Sequence, residues 1–192
     1  VLQNPETYEI ELEVDNEKTG PGTNFNTAEE LLDGLRKCIK YVLMGLQETN
    51  YPISYPEQKD VLSSYMKLIH GPDKYNPEKR IYSSDFIGPS SYTLQIQNII
   101  PINENANIPN IRNDYTVTEK ADGERSLLMI SAVGKMYIIN TNMKVIFTGA
   151  QTKNKDIFNT LIDGEIVYHD KHGKFINMFA AFDIYFSDKI DV

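Results

Sequence analysis

Apolar and polar residues alternate strictly over residues 8–15, YEIELEVD, where Tyr8, Ile10, Leu12 and Val14 interleave with Glu9, Glu11, Glu13 and Asp15. Period two predicts a strand with one apolar and one acidic face. The Gly/Pro/Asn loop TGPGTNFN ends it. The period then lengthens. Thr27 with Glu30 three positions later makes a capping box, and LLDGLRKCIKYVLMGL places apolar residues at helical spacing, a helix closed by Pro52 and Pro56. PEQKDVLSSYMKLIHG predicts a second helix, with Pro56 near its first turn and Gly71 as its stop. Residues 72–89 are loop-rich.

From residue 90 the pattern is β. TLQIQNII, DYTVTEK, RSLLMISAV, KMYIINT, KVIFTG, LIDGEIVYHD and KFINMFAAFDIYF are short runs rich in β-branched and aromatic residues, separated by Gly, Asn or Asp turns. Connections this short imply mostly antiparallel pairing, because parallel crossovers need a dozen or more residues. The fold class is therefore α+β, in three stretches: 1–20, 21–89 and 90–192. Internal repeats and low-complexity tracts are absent from the sequence.

The chain has 192 residues, 41% of them hydrophobic, enough for a core of one domain plus an appendage. It begins without methionine and stops in mid-pattern, so it is expected to be a piece of a longer protein. With 27 acidic against 19 basic residues the formal charge is −8, which disfavours attraction to a nucleic-acid backbone across the whole surface. A polyanion would have to be gripped locally, by a few cations or by metal held on carboxylates. The single cysteine, Cys38, excludes an internal disulfide and a Cys-rich zinc site, and fits a reducing compartment. No apolar run approaches the length of a membrane span.

Three elements place charge beside otherwise apolar strands: EKADGER at 119–125, LIDGEIV at 161–167 and FAAFDIYF at 179–186. In the first, alternation through YTVTE is expected to lead to Lys120 at a hairpin end, Asp122-Gly123 to turn the chain, and Arg125 to return nearby. A lysine buried beside another cation is pushed toward the neutral amine, the form able to attack an electrophile.

EKADGER matches the KxDGxR element of the covalent nucleotidyltransferases, the superfamily of mRNA capping guanylyltransferases and ATP-dependent DNA and RNA ligases. DGEIV and FDIYF, in that order and spacing, resemble its third motif and the aromatic-Asp motif that follows. The resemblance implies that Lys120 attacks the α-phosphorus of a nucleoside triphosphate, expelling pyrophosphate and leaving a lysyl phosphoramidate. It implies that Arg125 holds the ribose, that Glu165 faces ribose and metal, that Phe182 stacks on the base beside Asp183, and that Thr118 and Glu119 contact the base edge. Attack on a phosphorus shielded by anionic oxygens calls for neutralising cations or Mg²⁺, which carboxylates such as Glu165 and Asp183 could place. The sequence departs from many cellular capping enzymes at NTNMK, 140–144, where they carry an Asp-Arg pair.

YEIELEV in turn resembles the Glu-x-Glu-x-Glu strand of tunnel-type, metal-dependent RNA triphosphatases, a match implying Mg²⁺ or Mn²⁺ ligation by Glu9 and Glu11, with Glu13 a lesser candidate. In large DNA viruses and some cytoplasmic linear plasmids such a triphosphatase lies just before a guanylyltransferase, and a methyltransferase often follows. The resemblance as a whole is to a virus-type mRNA capping enzyme. It makes 1–20 the last strand of a triphosphatase barrel, 21–89 a helical connector and 90–192 the N-terminal part of a guanylyltransferase. GTP and an RNA 5′ end would be its substrates, a methyltransferase domain a neighbour in the parent chain, and the cytoplasm, in a viral factory or virion, its place, with no membrane partner.

Plainer readings stand beside these. An alternating acidic strand is usually a solvated sheet face, Asp-Gly a hairpin turn, and Phe179, Phe182 and Phe186 core. His169 and His172 flank a polar turn, and His70 suits the negative end of a helix dipole. A polynucleotide ligase would use the same lysine with ATP, and the two helices could serve a non-catalytic docking platform.

Overall fold

The computed structural model describes residues 8–89, 91–102, 108–113, 115–117, 119–188 and 190–191. Both helices form where the spacing places them. Helix α1 is Ala28–Gln47, opened by the Thr27/Glu30 capping box and closed at Glu48 in the left-handed conformation. Helix α2 is Tyr55–His70, opened by the Ser54 hydroxyl, which accepts from the Glu57 amide, with Pro56 in its first turn and Gly71 beyond its end.

The sheet consists of β1 (Glu124–Ile130), β2 (Lys135–Asn140), β3 (Val145–Gln151), β4 (Thr160–His169), β5 (Phe175–Ser187) and the two-residue β6 (Ile190–Asp191), in the order β3-β2-β1-β4-β5-β6. Every neighbouring pair is antiparallel. The α+β class and the antiparallel sheet agree with the sequence, and the sheet is compatible with a nucleotidyltransferase-type domain.

One face of this sheet packs on α2. Leu127 and Met129 of β1, Tyr137 and Ile139 of β2, Val145, Leu161 and Phe186 meet Ile53, Val61, Tyr65 and Met66 in one buried cluster. Alternation explains the membership, since the positions two apart along each strand share a face. Tyr65 is fully buried and still satisfied: its hydroxyl donates to the Asp85 carbonyl and accepts from the Ile87 amide. Those two bonds bring the segment after α2 back onto the sheet, and its next residues reach the site described below. Helix α1 buries none of its residues among those described.

Three expected strands are absent. Residues 8–15 form no ladder, and Tyr8, Ile10 and Leu12 are exposed by 86%, 56% and 45%. A lone alternating segment gains nothing from its apolar face without a sheet to pack on, and no described segment pairs with it. The barrel strand is therefore not shown. TLQIQNII instead makes a short 3-10 turn around buried Asn98, whose side chain bonds the Gln95 amide and the Pro109 carbonyl and replaces a ladder. The described residues of DYTVTEK are in no strand. Lys120 accordingly precedes β1 in a loop and not at the end of a hairpin.

Candidate active site

β1 and β4 run side by side with Arg125 opposite Glu165 and Leu127 opposite Asp163. Arg125, Asp163 and Glu165 thus share the α2-facing side of the sheet, at the edge where the apolar core gives way to charge. Arg125 and Asp163 form a two-point ion pair, Nε to Oδ1 at 3.2 Å and Nη2 to Oδ2 at 2.7 Å. Asp163 is 4% exposed, so its charge is tolerable only with such a partner. The hydrogen bond to Asp163 raises the Arg125 guanidinium beyond its usual range against the opposing effect of burial. Burial first, and then the bond to Asp163, push the Tyr185 phenol up to about 12; its hydroxyl donates to Oδ2 at 2.5 Å. Arg125 Nη1 also donates to the Pro89 carbonyl at 2.5 Å, and the Phe86 ring lies 5.8 Å from the guanidinium carbon.

Two irregularities in β5 place its aromatics. Asp163 pairs with Asp183 but Gly164 with Ala181, so Phe182 is an extra residue; likewise Leu161 pairs with Phe186 but Ile162 with Ile184, so Tyr185 is extra. Bulges re-aim side chains, often beside functional sites. Phe182 ends 56% exposed while Phe186 is 9% exposed in the core. The stacking candidate and the core aromatic are thus separated by geometry that alternation alone does not reveal. Phe179 is half-buried against Gly164.

Lys120 is exposed, where burial was expected, and its Nζ donates to the Ala121 carbonyl at 3.1 Å. Arg125, the second cation of the motif, turns toward Asp163 and not toward the lysine. The loop is nevertheless anchored: a Cβ on Gly123 would lie 2.4 Å from the Ile166 carbonyl oxygen, so the backbone three residues after Lys120 is pressed on β4 one residue from Glu165. Glu119 is exposed beside it, and Thr118 lies outside the described residues. Asp183 is exposed, with Oδ1 accepting from the Ile184 amide at 2.8 Å.

Glu165 Oε2 is buried and accepts from no donor among the described residues. A buried carboxylate oxygen left in that state fits a hydroxyl donor or a cation supplied by a ligand. Glu9, Glu11 and Glu13, by contrast, are all exposed, and no group of three or more His, Cys, Asp or Glu side chains converges to hold a metal among the described residues. Without neighbouring strands to curve around, their side chains have no common interior to face. Asn140 does not stand in for the Asp-Arg pair: its Oδ1 accepts from the Asn142 and Lys144 amides and shapes the β2–β3 turn next to Ser126.

The residues missed by sequence reasoning are Asp163, Tyr185 and residues Phe86 to Pro89 of the loop after α2. Asp163 carried a readable signal, because an acid and an arginine, each inside an apolar strand, need one another. Tyr185 and Pro89 gave none.

Two comparisons bear on this arrangement. Residues 102–192 match the family described as "mRNA capping enzyme, catalytic domain". Over 188 residues, 97% of this chain, the sequence is 32% identical to a "Probable mRNA-capping enzyme" of Acanthamoeba polyphaga mimivirus, and the match spans 13% of that relative's length. The chain is similar to a virus-type mRNA capping enzyme along nearly its whole length, and residues 102–192 match the mRNA capping enzyme catalytic-domain family.

Proposed function

We propose that this chain contributes part of the guanylyltransferase centre of an mRNA capping enzyme, with Lys120 as the nucleophile. The observation that carries the reading is the placement of the Lys120 loop, held by Gly123 against Ile166, beside a carboxylate of β4 whose buried oxygen has no partner among the described residues. The lysine is accessible to a substrate, and the groups suited to hold a nucleoside lie on β1, β4 and β5.

In this reading the Lys120 amine attacks the α-phosphorus of GTP in line with the leaving group. A nitrogen–phosphorus bond forms as the bond to the bridging oxygen breaks, pyrophosphate departs, and the amine loses its protons to solvent. A terminal phosphate oxygen of a diphosphate-ended RNA then displaces the lysine, producing the capped end and freeing the amine. Phe182, exposed on its bulge, offers a face for the base. Arg125 and Glu165 orient the ribose. Mg²⁺ or Mn²⁺, when bound, neutralises phosphoryl oxygens, and Glu165 and Asp183 are the residues that would hold it. The alternation of Glu9, Glu11 and Glu13 in the sequence motivates a further assignment, that 1–20 closes a metal-dependent triphosphatase assembled with other strands, while 21–89 connects the two units. The parent chain would work in the cytoplasm.

The test gives the full-length protein GTP or ATP labelled at the α-phosphate, with magnesium, and follows label that survives denaturation. Label from GTP is the expected result. Label from ATP alone would replace capping with polynucleotide ligation, and no label from either would remove the transfer reaction.

A further inference from the structure

We propose that the exposed side of α2 and the segment 71–82 after it form a docking track for single-stranded RNA, in which lysines take phosphates and tyrosines take bases. That this RNA is the strand to be capped rests on the function proposed above; the track itself rests on charge and shape.

Residues 59–80 hold five Lys or Arg against three Asp or Glu, in a chain whose formal charge is −8. Their arrangement matters more than their number. Two neighbouring hollows, of about 330 and 140 Å³, share Tyr75 and Lys79 as walls. Tyr55 and Lys59 line the larger, His70 and Lys74 the smaller, and no carboxylate lines either. Asp60, Asp73 and Glu78 belong to the same stretch but wall neither hollow. Among the described residues, Lys59, Lys67, Lys74, Lys79 and Arg80 form no ion pair. An acidic protein that leaves these cations uncompensated on one surface has there a local potential opposite to its net charge, which draws a polyanion.

The tyrosines are interleaved with the cations. Lys67 Nζ lies 5.7 Å from the centre of the Tyr75 ring, and the Arg80 guanidinium carbon 5.6 Å from that of Tyr82. The Ser63 and Tyr75 hydroxyls are 2.9 Å apart, which fixes the Tyr75 ring on α2. Tyr55, in the wall of the larger hollow, is 69% exposed and offers a face on which a base can stack. Rings alternating with cations suit single strands, whose bases are free to stack; a duplex could use only the charges.

From Lys59 to His70 the helix runs about 16 Å. A lone phosphate would call for cations converging on one point, whereas cations strung over this length suit a chain of phosphates. The track also leads to the candidate active site. Arg80 lies on Tyr82, Tyr65 bonds the Asp85 carbonyl and the Ile87 amide, and the Pro89 carbonyl accepts from Arg125. RNA held on 55–82 therefore lies on the segment that ends at Arg125.

The experiment titrates full-length protein with single-stranded RNA bearing a 5′ diphosphate over a series of salt concentrations, and maps ultraviolet crosslinks from the same RNA substituted with thiouridine. Lys74→Gln combined with Lys79→Gln should weaken RNA about tenfold and make the slope of log affinity against log salt shallower by about 0.7 for each lysine. Lys37→Gln with Lys40→Gln, the same charge change at exposed positions of α1, is the control and should alter neither. Tyr55→Ala should weaken RNA about fivefold and leave the salt slope unchanged. Crosslinks are expected within 55–82. Crosslinks confined to other segments overturn the proposal, as does a lysine-pair effect no larger than the control's. Duplex RNA bound as tightly as the single strand, with Tyr55→Ala silent, would reduce the track to unspecific charge attraction. Displacement of the RNA by polyglutamate at equal charge would reassign the surface to an acidic protein. Labelling by GTP on the same preparations reads the transfer reaction separately: a parent protein that takes no label yet crosslinks through 55–82 loses the capping function and keeps the RNA track.

Discussion

Glu57, in the first turn of α2, and Lys135, at the start of β2, meet at 2.7 Å across 78 residues of chain, and the Tyr137 hydroxyl donates to the same Glu57 oxygen at 2.8 Å. This is the polar clasp over the end of the α2–sheet core, and Lys135 also lies 5.3 Å from the centre of the Phe147 ring. Burial alone would raise the Glu57 carboxyl, but the bonds from Lys135 and Tyr137 and the Lys135 charge together hold it below its ordinary value of 4.5. A carboxyl depressed by folding contributes stability above its unfolded value and loses it as pH falls through the lower folded value. Glu57→Gln should therefore cost about 0.5–1 kcal/mol at neutral pH. Denaturant midpoints measured from pH 7 down to pH 3 should show a shallower acid loss in the variant, below about pH 4.5, than in the parent.

Phe182 and Phe186 are four residues apart on β5, yet they should respond oppositely to truncation. Phe186 sits in the core at 9% exposed, so Phe186→Ala should destabilise by about 3–5 kcal/mol. Phe182, 56% exposed on its bulge, should cost stability no more than about 0.5 kcal/mol. If it stacks on the base, Phe182→Ala lowers nucleotide affinity about tenfold. Thermal unfolding and nucleotide titration on both variants separate the two roles.

The contrast between these phenylalanines marks how far the sequence could be read. Strands β1 to β5 and helix α2 were legible because each places apolar residues against something within the chain, and pattern records that burial; α1, which buries none of its described residues, was legible from its capping box and helical spacing. Alternation at 8–15 looked as clear, but a pattern states only what would be buried if a neighbour existed. In 93–100 the decisive residue was Asn98, whose side-chain bonds made a turn out of a strand-like composition. Within the site, Lys120, Arg125, Glu165, Phe182 and Asp183 were visible as a family motif. The Asp163–Tyr185–Pro89 support depends on a shift of register in β5 and on a carbonyl from a loop, and neither leaves a mark in residue type.

Gly123 offers a direct test of how the loop bearing Lys120 is placed. A methyl at this position would meet the Ile166 carbonyl oxygen at 2.4 Å and the Val167 side chain at 3.2 Å. A backbone carbonyl in a strand ladder cannot rotate aside, so the loop must lift. Gly123→Ala should cost about 1–3 kcal/mol in stability. It should also reduce covalent nucleotide labelling at temperatures where the fold persists, which labelling and unfolding curves on the same preparation would resolve. Gly45, where a Cβ meets nothing within 4 Å, is the control, and its alanine variant should retain full labelling.

Lys120 is the residue on which the proposed chemistry stands, and two substitutions interrogate different properties of it. Lys120→Ala removes the amine and should abolish covalent labelling by α-labelled GTP. Lys120→Arg keeps a cation at an exposed position, so stability should be unaffected within about 0.5 kcal/mol. It should nevertheless fail to label, because a guanidinium stays protonated and has no free lone pair with which to attack phosphorus. A role for Lys120 as a mere electrostatic partner of the triphosphate predicts the reverse, with Lys120→Arg retaining much of the signal. Labelling of the two variants beside the parent, with nucleotide affinity measured separately, therefore distinguishes a nucleophile from a counter-ion: the nucleophile loses label in both variants while Lys120→Arg still binds GTP.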